Sequence, residues 1–192
     1  QRFRNLGFTV LLVSYRGYGK SDGAFPEEQQ LYSDAEAAWN YLVVDKKIDA
    51  ENIFIYGHSL GGAVAIELAV NHPNAAGLIA EATFTSIVDM ANLVSKFRVF
   101  PIRFIVNQQF DSKSKVAQLK VPVLYLHGSN DIRVPYEMSQ TLYSLTSSEK
   151  RMKIIRGGGH NNSALVGGED YLQAIEDFID FSAEKRDKNK TS

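Results

Sequence analysis

A doubly wound, mostly parallel α/β sheet is the architecture this sequence predicts, and three observations carry the prediction. Short apolar blocks recur at residues 8–13, 53–56, 77–80, 121–126 and 152–155, and most are apolar on both faces, as parallel strands covered on each side are. Between them lie longer stretches with apolar residues at helical spacing. The 192 residues contain no internal repeat and no low-complexity linker, so the economical reading is a single domain over 1–183 followed by a charged tail at 184–192.

Taken in order, residues 1–7 read as the end of a helix, and Phe8-Thr9-Val10-Leu11-Leu12-Val13 reads as the first strand. Leu31, Asp34, Ala35, Ala38 and Leu42 follow the helix period. The strand Ile53-Phe54-Ile55-Tyr56 runs into the glycines at 61 and 62 and then a helix marked by Val64, Ile66, Leu68 and Ala69. After the strand at 77–80 the alternation breaks. From Thr83 to Lys120 the chain carries Phe97, Phe100, Pro101, Phe104, Ile105 and Phe110, which predicts a short helical insertion over the sheet, a minimal cap at about 84–120. Strands at 121–126 and 152–155 follow, then a helix marked by Tyr171, Ile175, Phe178 and Ile179. The last residues mix charges without an apolar face, which predicts a solvated, frayed end. Strands alternating with helices imply right-handed crossovers and a parallel sheet.

Composition narrows the chemistry. With 21 Lys+Arg against 22 Asp+Glu and a net charge of -1, the chain lacks the broad basic surface that phosphate backbones require, and nucleic acid is not an expected partner. The absence of cysteine excludes disulfides, thiolate catalysis and Cys-ligated metal centres. Ser, His, Asp, Glu and Tyr remain. No apolar run approaches the roughly 18 residues a membrane span needs. The chain opens on Gln1 without a leader, so the expectation is that a signal, an anchor or further strands precede it, with membrane association arising from such a segment and a cytoplasmic or membrane-associated location.

The strongest motif is Gly57-His58-Ser59-Leu60-Gly61-Gly62, directly after a strand and directly before a helical pattern. This is G-x-S-x-G in the context its mechanics require: a serine on a sharp strand-to-helix turn needs small residues two positions either side. Ser59 is therefore the candidate nucleophile, with a helix N-cap as the plain alternative. A nucleophilic serine needs a base. His58 is adjacent and diverges from it; His72, in Asn71-His72-Pro73, reads as a cap at a helix end; His127, at the end of a strand, reads as a buried structural histidine. His160, in Gly157-Gly158-Gly159-His160-Asn161 beyond the last strand, lies where ligands meet such sheets and is the candidate base. The base in turn needs a carboxylate to orient it. Asp131, in Gly128-Ser129-Asn130-Asp131, occupies a loop past a strand end, and Glu81 after the strand at 77–80 is its rival. The order Ser59, Asp131, His160 is one of the known triad orders.

With these motifs in hand, the chain resembles the α/β-hydrolase family over nearly its whole length. The resemblance rests on Ser14-Tyr15-Arg16-Gly17-Tyr18-Gly19-Lys20-Ser21, the turn at 57–62, Pro122-Val123-Leu124-Tyr125-Leu126-His127-Gly128 with Asp131 and Val134-Pro135, and Gly159-His160-Asn161. Together with the Phe-rich interval and Phe110-Asp111-Ser112, it is similar to the small abhydrolase-domain branch, which includes membrane-anchored serine hydrolases and protein depalmitoylases. That family has Asp where Ser14 stands, and places Arg16 and Ser21 in a structural loop. The resemblance implies a serine hydrolase acting on a carboxylic ester or thioester of a small molecule or acyl-protein, with the backbone N–H of Leu60 as one oxyanion donor and no metal or cofactor. It also implies that the second donor, and the strands that would pair with Phe8 to Val13, come from chain that would precede Gln1, so the 192-residue chain alone is expected to turn over slowly for want of the donor and to fold poorly with an apolar sheet edge unpaired. Phe97, Phe100, Ile102, Phe104 and Ile105 either line an acyl site or pack on the core. A serine peptidase of the same fold and a non-catalytic interaction protein are the alternatives.

Overall fold

The computed structural model describes residues 2–97 and 108–190, and the chain falls into two compact units, 1–48 and 49–192. In the first, α1 (Arg2–Asn5) leads into a segment without regular structure, and α2 (Glu28–Asn40) buries Leu31, Ala35 and Trp39 at four-residue intervals before widening into a π-helical turn at Tyr41–Asp45. Arg16 is clamped to α2: its Nε donates to Asp34 Oδ1 and its backbone N–H to Asp34 Oδ2, both at 2.9 Å. These hydrogen bonds hold the Asp34 carboxyl below its usual pKa. The strand expected at 8–13 is not formed. Val10 to Val13 are exposed and pair with no ladder among the described residues, and an apolar sequence becomes a strand only when a neighbouring strand accepts its backbone bonds.

The second unit is built on four parallel strands in sequential order: β1 (Phe54–His58), β2 (Gly77–Glu81), β3 (Val123–Gly128) and β4 (Lys150–Ile155). Each contains most of a predicted block, shifted by up to two residues. β2 and β3 are buried along their whole length, whereas the outer strand β4 carries Lys150, Arg151 and Lys153, charges that discourage edge pairing. Three crossovers stepping in one direction place their helices on one face. That face carries α3 (Leu60–Asn71) and α6 (Tyr136–Leu145), both in contact with the intervening segment that includes α5 (Ser112–Lys115). The opposite face is covered by α7 (Ser163–Lys190), whose helical path is interrupted at Gly168.

Side-chain parity confirms the two faces. A Cβ on Gly57 would lie 2.7 Å from Ala65 of α3, whereas one on Gly77, the register partner of Phe54, would lie 3.1 Å from Phe178 of α7. Residues 54 and 57 are an odd number apart, so they face opposite ways. Of the expected insertion, α4 (Ile87–Phe97), α5 and a 3₁₀ turn at Val116–Gln118 are present. Phe100, Pro101, Ile102, Phe104 and Ile105 lie outside the described residues, as does the side chain of Phe97. α6 falls between the blocks at 121–126 and 152–155, where the alternation implies a helix without marking its residues, and α7 continues to Lys190 where the sequence predicts a frayed end. Residues such as Ala183, Glu184, Lys185 and Arg186 are good helix formers and extend a helix already nucleated by packing, and Lys185 reaches Glu149 at 2.6 Å.

Candidate active site

The turn at the end of β1 places Ser59 in a backbone conformation that side chains rarely adopt, φ 55° and ψ -121°. Three bonds hold it there: the Ser59 N–H donates to Glu81 O at 2.9 Å, while the Ser59 carbonyl accepts from Gly62 N and from Thr83 Oγ1, each at 2.9 Å. Space explains the glycine two positions earlier, since a Cβ on Gly57 would come within 2.1 Å of Gly61 O. Leu60 is the first residue of α3, so its N–H is among the first-turn donors that have no partner within the helix.

Asp131 and His160 arrive on the loops that follow β3 and β4. The two loops are stitched together: Ser129 N donates to Ile155 O at 2.9 Å and Asn130 N to Gly158 O at 2.8 Å. They approach so closely that a Cβ on Gly128 would lie 2.3 Å from Gly158 O. His160 Nδ1 is 2.7 Å from Asp131 Oδ2, and His160 Nε2 is 3.0 Å from Ser59 Oγ. The carboxylate only accepts, so the network assigns the proton to Nδ1, leaving the Nε2 lone pair for the Ser59 hydroxyl.

Around Asp131 the other oxygen is also engaged. Oδ1 accepts from Arg133 N and Val134 N at 2.9 Å. Burial by itself would raise this carboxyl, but the hydrogen bonds from His127, His160 and Val134 and the charge of His160 outweigh it and hold the group well below the usual carboxylate range.

The residues ranked lower in the sequence take other places. Glu81 faces α7 rather than His160: its Oε2 accepts from Tyr56 OH at 2.6 Å and from Tyr171 OH at 2.7 Å. His72 is the C-cap of α3. His58 makes no bond to Ser59 Oγ among the described residues; its Nε2–H donates to the backbone carbonyl of His160 at 2.7 Å, and the two rings lie 4.9 Å apart. Sequence reasoning missed this anchor because it joins a side chain to a backbone atom 102 residues away. His127 is buried and hydrogen-bonded, as expected, and its Nε2 also lies 3.2 Å from Asp131 Oδ2.

Residues 1–115 match the family model described as serine aminopeptidase, S33. The chain belongs to this family of α/β hydrolases. It is 37% identical over 177 residues to protein bem46 of Schizosaccharomyces pombe, covering 91% of the chain and 58% of that protein. It is 34% identical over 203 residues to the alpha/beta hydrolase domain-containing protein WAV2 of Arabidopsis thaliana, covering 98% and 66%. Among solved structures, an esterase of Pyrococcus furiosus superposes with a TM-score of 0.69 at 18% identity, covering 86% of this chain and 66% of that one. The chain spans about 60% of the length of the curated relatives it matches.

Proposed function

We propose that the protein is a serine hydrolase that cleaves a carboxylic ester or thioester through an acyl-enzyme intermediate. The observation that carries this reading is the hydrogen-bonded series from Ser59 Oγ through His160 to Asp131, at 3.0 and 2.7 Å. In the first half-reaction Ser59 Oγ attacks the acyl carbonyl as its proton passes to His160 Nε2, and Asp131 stabilises the imidazolium that forms. The Leu60 N–H helps hold the oxyanion. Collapse expels the alcohol or thiol, which takes the proton from His160. Water then repeats the sequence, releasing the acid and restoring Ser59.

The fold of the P. furiosus protein, an esterase, supports ester chemistry by likeness alone. A peptidase is the second reading, favoured by the matched family's own description as an aminopeptidase. The test is labelling with a fluorophosphonate probe, followed by turnover of esters, thioesters and aminoacyl amides of graded length by the full-length protein. Labelling that depends on Ser59, with turnover of esters or thioesters above amides, is expected. Turnover of amides alone selects the peptidase, and no labelling of the folded protein removes both.

A further inference from the structure

The first residues beyond the proposed triad are already in hydrogen-bond contact with it, and one of them is a second histidine on the same carboxylate. Asp131 Oδ2 faces His160 Nδ1 at 2.7 Å on one side and His127 Nε2 at 3.2 Å on the other. His127 points from β3 toward α6, where its Nδ1 lies 2.7 Å from Ser139 Oγ. Both His127 and Ser139 are fully buried.

The polarity of this chain can be assigned from its ends. His127 Nε2 faces two acceptors, Asp131 Oδ2 and the Val134 carbonyl at 2.9 Å, so the proton sits on Nε2 and is shared between them. The Nδ1 lone pair then takes the Ser139 hydroxyl proton, the 2.7 Å contact prevailing over Thr83 O at 3.5 Å. Ser139 thus donates to His127, His127 donates to the Val134 carbonyl and, over the longer distance, to Asp131 Oδ2, and Asp131 receives His160.

Resting on the triad reading above, we propose that His127 is a positioning residue: held by Ser139 of α6, it fixes the Asp131 carboxylate in the direction from which His160 is oriented. An apolar side chain at this position would fill the same space without constraining Oδ2. The ionisable side chains that touch the carboxylate among the described residues are His127 from β3 and His160 from the loop after β4. The other partners, the Arg133 and Val134 backbone amides, are neutral, as is Ser139 behind His127.

A donor on Oδ2 also draws off part of the negative charge that would otherwise act on the His160 imidazolium. Its removal therefore favours protonated His160, and the acid limb of kcat/KM moves to higher pH.

The experiment compares His127→Phe, His127→Gln and Ser139→Ala in the full-length protein, with a short-chain p-nitrophenyl ester and with thermal melts to establish folding. His127→Phe is expected to lower kcat on the order of 10- to 100-fold, the scale of one hydrogen bond to a charged group, with KM little changed and the acid limb moved upward. His127→Gln, which can present an N–H near the Nε2 position, restores most of both. Ser139→Ala moves the limb the same way by less. A folded His127→Phe protein with wild-type kcat and limb overturns the proposal, as does equal loss in the Phe and Gln variants with an unmoved limb. If the Phe variant does not fold, an unmoved limb in Ser139→Ala overturns it and a shifted one supports it. Ser59→Ala is the separating control. Turnover that survives it overturns the triad reading and this proposal together, whereas loss there with unaffected His127 and Ser139 variants overturns this proposal alone.

Discussion

At the scale of the residue, the site concentrates costs that a purely structural turn would avoid. Ser59 is held at φ 55°, a conformation that costs a non-glycine residue about 1–3 kcal/mol and persists only where surrounding bonds over-determine it. Ser59→Ala keeps the backbone bonds to Glu81, Gly62 and Thr83 and removes only the hydroxyl. It is expected to cut ester turnover by roughly 10³-fold or more with the melting temperature retained, as steady-state kinetics and calorimetry on one preparation would establish. The two candidate acids separate just as cleanly. Asp131→Asn is expected to lower kcat on the order of 10³- to 10⁴-fold, because an amide facing His160 Nδ1 favours the wrong tautomer. Glu81→Gln leaves an acceptor for the Tyr56 and Tyr171 hydroxyls and should keep most turnover while losing about 1–2 kcal/mol of stability. The reverse ranking in kcat would transfer the role to Glu81.

At the scale of the element, the site depends on how closely two loops can pass. Gly128 and Gly158 touch through backbone, and a Cβ at 128 would sit 2.3 Å from the Gly158 carbonyl oxygen. Gly128→Ala must therefore push apart the loops that carry Asp131 and His160. A displacement near 1 Å is enough for a loss of about 10²-fold in kcat, and the variant is expected to show it while remaining folded; unchanged kinetics would mean that the loops adjust independently of the site. Much of this level was legible in advance. The blocks at 53–56, 77–80, 121–126 and 152–155 became β1 to β4 because a strand buried on both faces needs a continuous apolar run. The bounds of helix α6 were not legible: ten residues with only Met138, Ser139 and Leu142 buried form too short and too polar a pattern to stand out from a loop. The block at 8–13 misled in the other direction, since apolar character marks the capacity to pair and not the presence of a partner.

At the scale of the molecule, the candidate site lies beyond the C-terminal ends of parallel strands, where loops from separate strands converge. That placement ties acid stability to the site. The Asp131 pKa is depressed in the folded protein, so its contribution to stability is fully present above the unfolded aspartate value of about 3.9 and is lost as pH falls through the lower, folded value. Wild-type protein should therefore melt higher than Asp131→Asn at pH 6, with the gap narrowing as the pH falls below about 4. A gap that stays constant over that range would remove the linkage.

The strand-to-helix turn at Ser59 was determined by sequence alone, because the constraints on it act within a few residues: a strand before it, a helix after it, and glycines where a Cβ would strike the turn. So was the order Ser59, Asp131, His160, each just past the end of an apolar block. What only the tertiary structure decided are the contacts across 101 and 29 residues that bring Ser59 and Asp131 to His160. The parity of β2 turned Glu81 toward Tyr171 of α7. The parity of β3 turned His127 toward Ser139 of α6, with its Nε2 still in reach of Asp131. A one-residue shift of register would exchange those faces, and register is set by the packing of the whole sheet rather than by any local run of residues.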